Sequence, residues 1–361
     1  MLLRAALATT ALLVALVSAP PAAAQEPAAS AVRSEAWILV DADTGAIVDA
    51  SAERVPMSPA STIKIFTALV ALERLPVGEP VPISARAEGM PARKINVKAG
   101  QLWDREDLLH SMLMVSANDA AVALAERVGG GSLEGYLPVA ERAARRLGLE
   151  DSPVLLDPSG LDSEFSNGGG SRISARDMAI VARAALARPD LMAIASTENY
   201  EFTGGDGIGH TLTNHNRFLD FYDDATGLKT GLTDMAGRCF VGTATRDGRT
   251  MLVVLFDSPD IYLTAAELLD RGFAMPVGAQ GGLDRLPEVV PDASSASPAP
   301  GPVELGLRAV PAPWLTSRNS AGIDLNSTPV ALALFVVGAA PALWVHLRLQ
   351  RRMGAVPVSA G

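Results

Sequence analysis

"PASTIKIFTALVAL", Pro59 to Leu72, sets a serine and a lysine three residues apart at the entrance to an apolar run. Pro59 suits the first turn of a helix, and Ile65, Leu69 and Leu72 recur at helical spacing. The stretch therefore predicts an amphipathic helix with Ser61 and Lys64 on one face. The start of such a helix also brings positive partial charge and free N–H groups to the serine. A Ser-x-x-Lys match alone arises by chance about once in a chain of this length. Composition sharpens it. The chain has four lysines (Lys64, Lys94, Lys98, Lys229) against 26 arginines. A sequence that writes Arg nearly everywhere keeps Lys where a guanidinium cannot serve. A general base is such a place, because a desolvated amine can lose its proton.

Working outward, "AWILVDADTGAIVDA" reads as a hairpin, with Ile38, Val40 and Ala42 alternating and Asp43-Thr44-Gly45 turning the chain. "WDREDLLHSMLMVSANDAAVALAERVGGG" carries helical spacing on both sides of a Ser-Ala-Asn break and stops at Gly129 to Gly131. Ser174 caps a further helix, "ISARDMAIVARAAL". "TGLKTGLT", "GRCFVGTATRD" and "GRTMLVVLFD" read as strands, the last two joined at Asp247-Gly248. Strands, then helices, then an antiparallel set predict an α+β sandwich, in which the first hairpin joins the later sheet. No internal repeat is present.

The two ends read as targeting segments. Arg4, the apolar Ala5 to Val17 and Ala22-Ala23-Ala24 form a signal peptide over residues 1–24. Residues 34–276 suit one globular domain, and residues 277–328 have the Pro/Ala/Ser-rich composition of a linker. Residues 329–347 predict a transmembrane helix. Its uncharged core from Pro329 to Val345 spans roughly 26 Å and is followed by Arg348, Arg351 and Arg352. Those arginines place the tail, 348–361, in the cytoplasm and the domain outside. The single cysteine, Cys239, excludes an internal disulfide framework, and a net charge of -10 argues against nucleic acid as a partner.

Two short motifs lie downstream of Ser61. Ser116-Ala117-Asn118 follows it by 55 residues, and Lys229-Thr230-Gly231 opens a strand 113 residues beyond Ser116. Alone, the first is ordinarily a helix break or cap and the second a turn. In this order, with the first motif at a helix start and the last on a strand, they match the penicillin-binding signature Ser-x-x-Lys, Ser-x-Asn, Lys-Thr-Gly.

Residues 34–276 resemble the D-alanyl-D-alanine carboxypeptidases, the low-molecular-mass penicillin-binding serine peptidases. "LVDADTGAIV", "PASTIKIFTALVALE", "DLLHSMLMVSANDAAVALAE", "LLDPSGLD", "SARDMAIVARA" and "KTGLTDMAGRCFVGTATRDGR" follow that family's segments in order. Where many relatives add a second, all-β domain, this chain has the linker. The resemblance implies a β-lactamase/transpeptidase-like fold, an antiparallel sheet packed against a helical cluster. It also implies D-alanine release from peptidoglycan stem peptides and covalent inhibition by β-lactams, without metal or cofactor.

Chemistry and resemblance together assign roles. Ser61 is the nucleophile, and Lys64, desolvated and crowded by Lys229, is the base. Ser116 relays the proton to the leaving D-alanine, while Asn118 holds substrate backbone and orients Lys64. Lys229 supplies a positive field, Thr230 hydrogen-bonds the substrate carboxylate, and Gly231 completes the motif. The resemblance places the oxyanion hole on the N–H groups of Ser61 and Leu232.

Three other readings fare worse. A class A β-lactamase needs a Glu-x-x-Leu-Asn segment between Asn118 and Lys229, and there is none. A Ser-His-Asp esterase needs a Gly-x-Ser-x-Gly elbow, also missing. His110, His210 and His215 lack metal-ligand spacing and read as surface or packing residues. An endopeptidase of cross-linked peptidoglycan stays open as an alternative, whereas the presence of every motif residue argues against a pseudoenzyme that only binds the wall.

Overall fold

A computed structural model of the protein describes residues 32–276 and 284–289. The signal segment, most of the linker, the expected membrane span and the tail lie outside the described residues. Among those described, no helix is long and apolar enough to cross a membrane.

The chain opens with the expected hairpin, β1 (Ala36–Asp41) and β2 (Ile47–Ser51). The Asp41 carboxylate closes its turn, accepting from the N–H and hydroxyl of Thr44 at 3.0 and 2.9 Å. A mostly helical region follows: α1 (Lys64–Arg74), β3 (Pro80–Pro82), α2 (Ala85–Glu88), β4 (Leu102–Asp104), α3 (Arg105–Met114), α4 (Asn118–Val128) and α5 (Leu133–Leu147). Next come α6 (Ala175–Leu186), α7 (Pro189–Ser196), the hairpin β5 (Asn199–Thr203) and β6 (Gly209–Thr213), and α8 (Phe218–Phe221). β7 (Ala225–Thr233), β8 (Gly237–Arg246), β9 (Arg249–Phe256) and α9 (Ile261–Ala274) complete the domain.

The main sheet runs β2-β1-β9-β8-β7, antiparallel throughout, so the first hairpin does join the later strands. Its central strands are buried on both faces, which explains their near-continuous apolar runs. Ile38, Val40, Leu252, Val254 and Phe256 face the core shared with α1, α4 and α6. The alternate residues Trp37, Leu39, Met251, Val253 and Leu255 face a second core closed by Ala265, Leu268 and Leu269 of α9. A period of two along each strand divides the layers, and a slip of one residue would exchange them.

Several local expectations coincide with the structure: α4 ends before Gly129, Ser174 caps α6 by accepting from the Asp177 N–H, and β8 turns into β9 at Asp247-Gly248. Three details differ. Ser61 lies in a 3₁₀ turn, Ala60–Ile63, and the α-helix begins at Lys64. Lys229-Thr230-Gly231 sits well inside β7 rather than opening it, because the strand already pairs with β8 from Ala225. Residues 284–289, expected within the linker, dock on the domain. Leu286 is buried, its N–H donates to the Gly45 carbonyl at 2.9 Å, and Arg183 Nη1 donates to the Pro287 carbonyl at 2.7 Å. Composition reports an average over a segment and misses one leucine that finds a groove.

Candidate active site

The break between α3 and α4 carries the second motif. Ser116 adopts φ +63°, a left-handed conformation uncommon outside glycine, and this reverses the chain so that Asn118 starts α4. The neighbouring carboxylate of Asp119 is buried and accepts backbone N–H groups from Ile95, Asn96, Val97 and Ala120 at 2.9 to 3.3 Å. Those bonds hold the 91–98 loop against α4. Asn118 adds to them, its N–H donating to the Arg93 carbonyl at 2.7 Å and its Nδ2 to the Pro91 carbonyl at 3.2 Å.

A second support lies in "LLDPSGLD". The Asp157 carboxylate accepts from the Ser159 N–H, the Ser159 hydroxyl and the Gly160 N–H at 2.8, 2.6 and 2.8 Å. The turn so fixed presents the Ser159 carbonyl to Lys64. Gly160 lets it come close: a Cβ there would stand 1.9 Å from the Ala60 carbonyl oxygen. From the other side, a Cβ at Gly231 would stand 2.9 Å from both the Ala60 Cβ and the Ser61 backbone nitrogen. The turn bearing Ser61 is thus gripped between two glycines, and Ala60 within it takes φ +46°.

Lys64 is fully buried, and its Nζ meets Ser61 Oγ at 2.8 Å, Asn118 Oδ1 at 2.8 Å and the Ser159 carbonyl at 2.5 Å. Burial, reinforced by the charge of Lys229, pushes its pKa well below the ordinary lysine value, with Asp157 and Asp119 opposing. The amine is enclosed by three oxygens. The two carbonyl oxygens, which can only accept, take two of its N–H bonds, and the third direction of Nζ faces the Ser61 hydroxyl. Lys229, also buried, donates to the Thr230 carbonyl at 3.0 Å. Desolvation, helped by the nearby Arg93, brings it down to about 7.

Ser61, Ser116, Asn118, Thr230, Gly231 and Leu232 share one cleft of about 790 Å³. Lys64 and Lys229 lie behind it, tied to Ser61 and Thr230 respectively. β7 is the edge strand of the sheet, so its outer backbone groups are available to a bound peptide. A hydroxyl facing a buried amine, beside an open strand edge and a lysine-threonine pair, is equipped for acyl transfer to serine from a substrate bearing an anion.

Three contributors escaped the sequence reading. Asp157 and Ser159 were within reach of it, since Asp-Pro-Ser-Gly is a turn whose first residue caps its own backbone. Arg93 left no signal, because its cleft partner His215 is 122 positions away. His215, expected on the surface or in packing, lines the cleft instead. His110 and His210 do pack, the first stacked 3.7 Å from the Tyr200 ring and the second paired with Asp206 at 3.1 Å.

Comparison with known proteins agrees with this geometry. Residues 22–260 match the family described as D-alanyl-D-alanine carboxypeptidase. The D-alanyl-D-alanine carboxypeptidase DacB2 of Mycobacterium tuberculosis is 33% identical over 258 residues, covering 69% of this chain and 86% of the relative. The D-alanyl-D-alanine endopeptidase of Escherichia coli is 27% identical over 293 residues, covering 76% of this chain and 91% of the relative. A crystal structure of D-alanyl-D-alanine carboxypeptidase from Mycobacterium tuberculosis H37Rv superposes with a TM-score of 0.64 at 31% identity, covering 70% of this chain and 96% of that one. The sheet-and-helix architecture is therefore the penicillin-binding one, and the chain belongs to the D-alanyl-D-alanine carboxypeptidase family of serine hydrolases.

Proposed function

We propose that this chain removes the terminal D-alanine from peptidoglycan stem peptides ending in D-Ala-D-Ala, through an acyl-enzyme on Ser61. The observation that carries the reading is Lys64, buried with its Nζ 2.8 Å from Ser61 Oγ and its other contacts taken by two carbonyl oxygens. Ser61 Oγ attacks the carbonyl carbon of the penultimate D-alanine while its proton passes to Lys64. Ser116 carries a proton to the amine of the departing D-alanine, and the C–N bond breaks. Water then hydrolyses the ester and frees Ser61. The N–H groups of Ser61 and Leu232 stabilise the developing oxyanion, and Asn118 holds both Lys64 and the substrate backbone. Thr230 hydrogen-bonds the substrate's free carboxylate, with Lys229 behind it. β-Lactams carry a carboxylate at the matching place and acylate the same serine.

The test is release of D-alanine from a diacetyl-Lys-D-Ala-D-Ala tripeptide, set against release of D-alaninamide from the amidated peptide. A hydrogen bond to a charged group contributes about 1.5–3 kcal/mol, so the amide should react at least roughly tenfold more slowly. Thr230→Val should cost a similar factor on the free acid and much less on the amide. Equal rates on the two peptides would hand the site to the endopeptidase reading. A protein that binds labelled penicillin yet releases nothing would be a wall-binding pseudoenzyme.

We also propose an exported, membrane-anchored protein: cleavage before Gln25, an outward-facing domain, the 277–328 segment as a tether beyond the docked 284–289 stretch, and a single C-terminal span. Support comes from the apolar runs and their flanking arginines. Recovery of an intact N-terminus from membranes would overturn the export half. Extraction of the full-length protein by carbonate would overturn the anchor half.

A further inference from the structure

On the cleft wall formed by the 91–98 loop and the residues after β6, a guanidinium meets an imidazole. Arg93 Nη1 lies within hydrogen-bond distance of His215 Nδ1, and both residues line the same cleft as Ser61, Ser116 and Thr230. Both side chains are largely exposed there. A guanidinium has donors alone, so Nδ1 of His215 must be the acceptor and the ring is the neutral tautomer protonated at Nε2. Two groups that ordinarily repel are thus arranged as donor and acceptor. Among the described residues no carboxylate pairs with Arg93. By contrast Arg217, in the same cleft, is matched by Asp220 at 3.3 Å.

Arg93 is also placed by the catalytic scaffold. Its carbonyl accepts from the Asn118 N–H at 2.7 Å, and the loop that follows it is held by the Asp119 carboxylate. Its charge is felt by Lys229, the neighbour of Thr230, and by His215. Lys229 itself is buried with its Nζ turned to a backbone carbonyl, whereas Arg93 is an exposed, permanently charged donor of the cleft, which Arg217 and Arg238 also line.

We propose that Arg93 is a specificity-determining residue that binds the free terminal carboxylate of the substrate beside Thr230, and that His215 is a positioning residue which holds its guanidinium toward the cleft. The inference rests on the D-Ala-D-Ala reading of the site. Arg93 reads the leaving D-alanine's carboxylate by a charged fork, Thr230 by a hydroxyl, and His215 keeps one guanidinium nitrogen occupied so that the rest of the fork faces the ligand.

The experiment measures kcat and KM of the full chain on diacetyl-Lys-D-Ala-D-Ala and on its C-terminal amide. Arg93→Gln should raise KM for the free acid at least tenfold, with a smaller effect on kcat, and should bring the acid-over-amide preference toward parity. Arg93→Lys should restore part of that preference, since the charge returns without the fork. His215→Ala should raise KM for the acid, and His215→Asn, whose amide oxygen can accept from the guanidinium, should recover it. An Arg93→Gln enzyme that keeps the wild-type preference, with wild-type thermal stability, overturns the proposal and leaves the carboxypeptidase reading standing. So does a His215→Asn enzyme no better than His215→Ala, for the positioning role. A wild-type enzyme that turns over neither peptide overturns the reading itself.

Discussion

The amine of Lys64 and the backbone carbonyl of Ser159 are 2.5 Å apart, although 95 residues separate them in the chain. With Asn118 Oδ1 as the second acceptor, this contact fixes which way the amine points. This nest holds the amine beside a serine hydroxyl, and burial there pushes its pKa down.

The first prediction concerns that amine. Lys64→Arg keeps a basic side chain but removes any lone pair at working pH. Acylation of Ser61 by penicillin, followed by intact mass, should slow by about 10²–10⁴-fold, the range for loss of a catalytic base. Acylation at a rate close to wild type would remove Lys64 from the mechanism.

Gly231 provides a second test. A methyl group there would press on the Ala60 Cβ and the Ser61 nitrogen, each 2.9 Å away. β7 must then retreat from Ser61. Overpacking of this kind costs about 1–3 kcal/mol, whereas misplacing a reacting group by an ångström costs on the order of 10²-fold in rate. Gly231→Ala should therefore fold and lose most of its activity, as urea unfolding and D-alanine release would report together. Full activity in the variant would mean that the close approach has no catalytic consequence.

Lys229 supplies a pH test with a definite sign. Its pKa is about 7 in the folded protein against an ordinary value of 10.5. Between those limits the unfolded chain binds the extra proton, so stability from this group rises with pH from about 7 to 10.5. Lys229→Met should be more stable than wild type near pH 7 by about 1–4 kcal/mol, with the gap narrowing toward pH 10, and should lose activity. A gap that widens with rising pH would contradict the assignment.

The docked 284–289 segment can be weighed by truncation. A chain ending at Val289 keeps buried Leu286, and one ending at Pro276 loses it. Burial of a leucine contributes about 1.5–3 kcal/mol, so urea unfolding should report the shorter chain as less stable by that amount while it retains turnover. Equal stability of the two chains would show that the segment adds nothing to the domain.

Local signals carried much of this protein. The alternation in "AWILVD" and "TMLVVLF", the Asp247-Gly248 turn, the Ser174 cap and the Gly129 stop are each decided by a few neighbouring residues, and each is legible in one dimension. The three motifs were legible too, because their order and spacing restrict which serine, lysine and asparagine can meet. Scarcity of lysine sharpened the Ser61-x-x-Lys64 match, and Lys229 stood out through its motif.

The environment of those residues was decided by tertiary structure. Burial and the charge of Lys229, on a distant strand, push the Lys64 pKa down, while Ser159 and Asn118 reach its amine from a distant turn and a distant helix. Arg93 faces His215, and Leu286 seats beside Gly45, through contacts between positions more than a hundred apart. Such contacts have no period and no neighbouring signal. Local residues determine which elements form and which groups can react. Desolvation and charge, which set how those groups react, depend on everything packed around them, and packing exists once the chain has closed on itself.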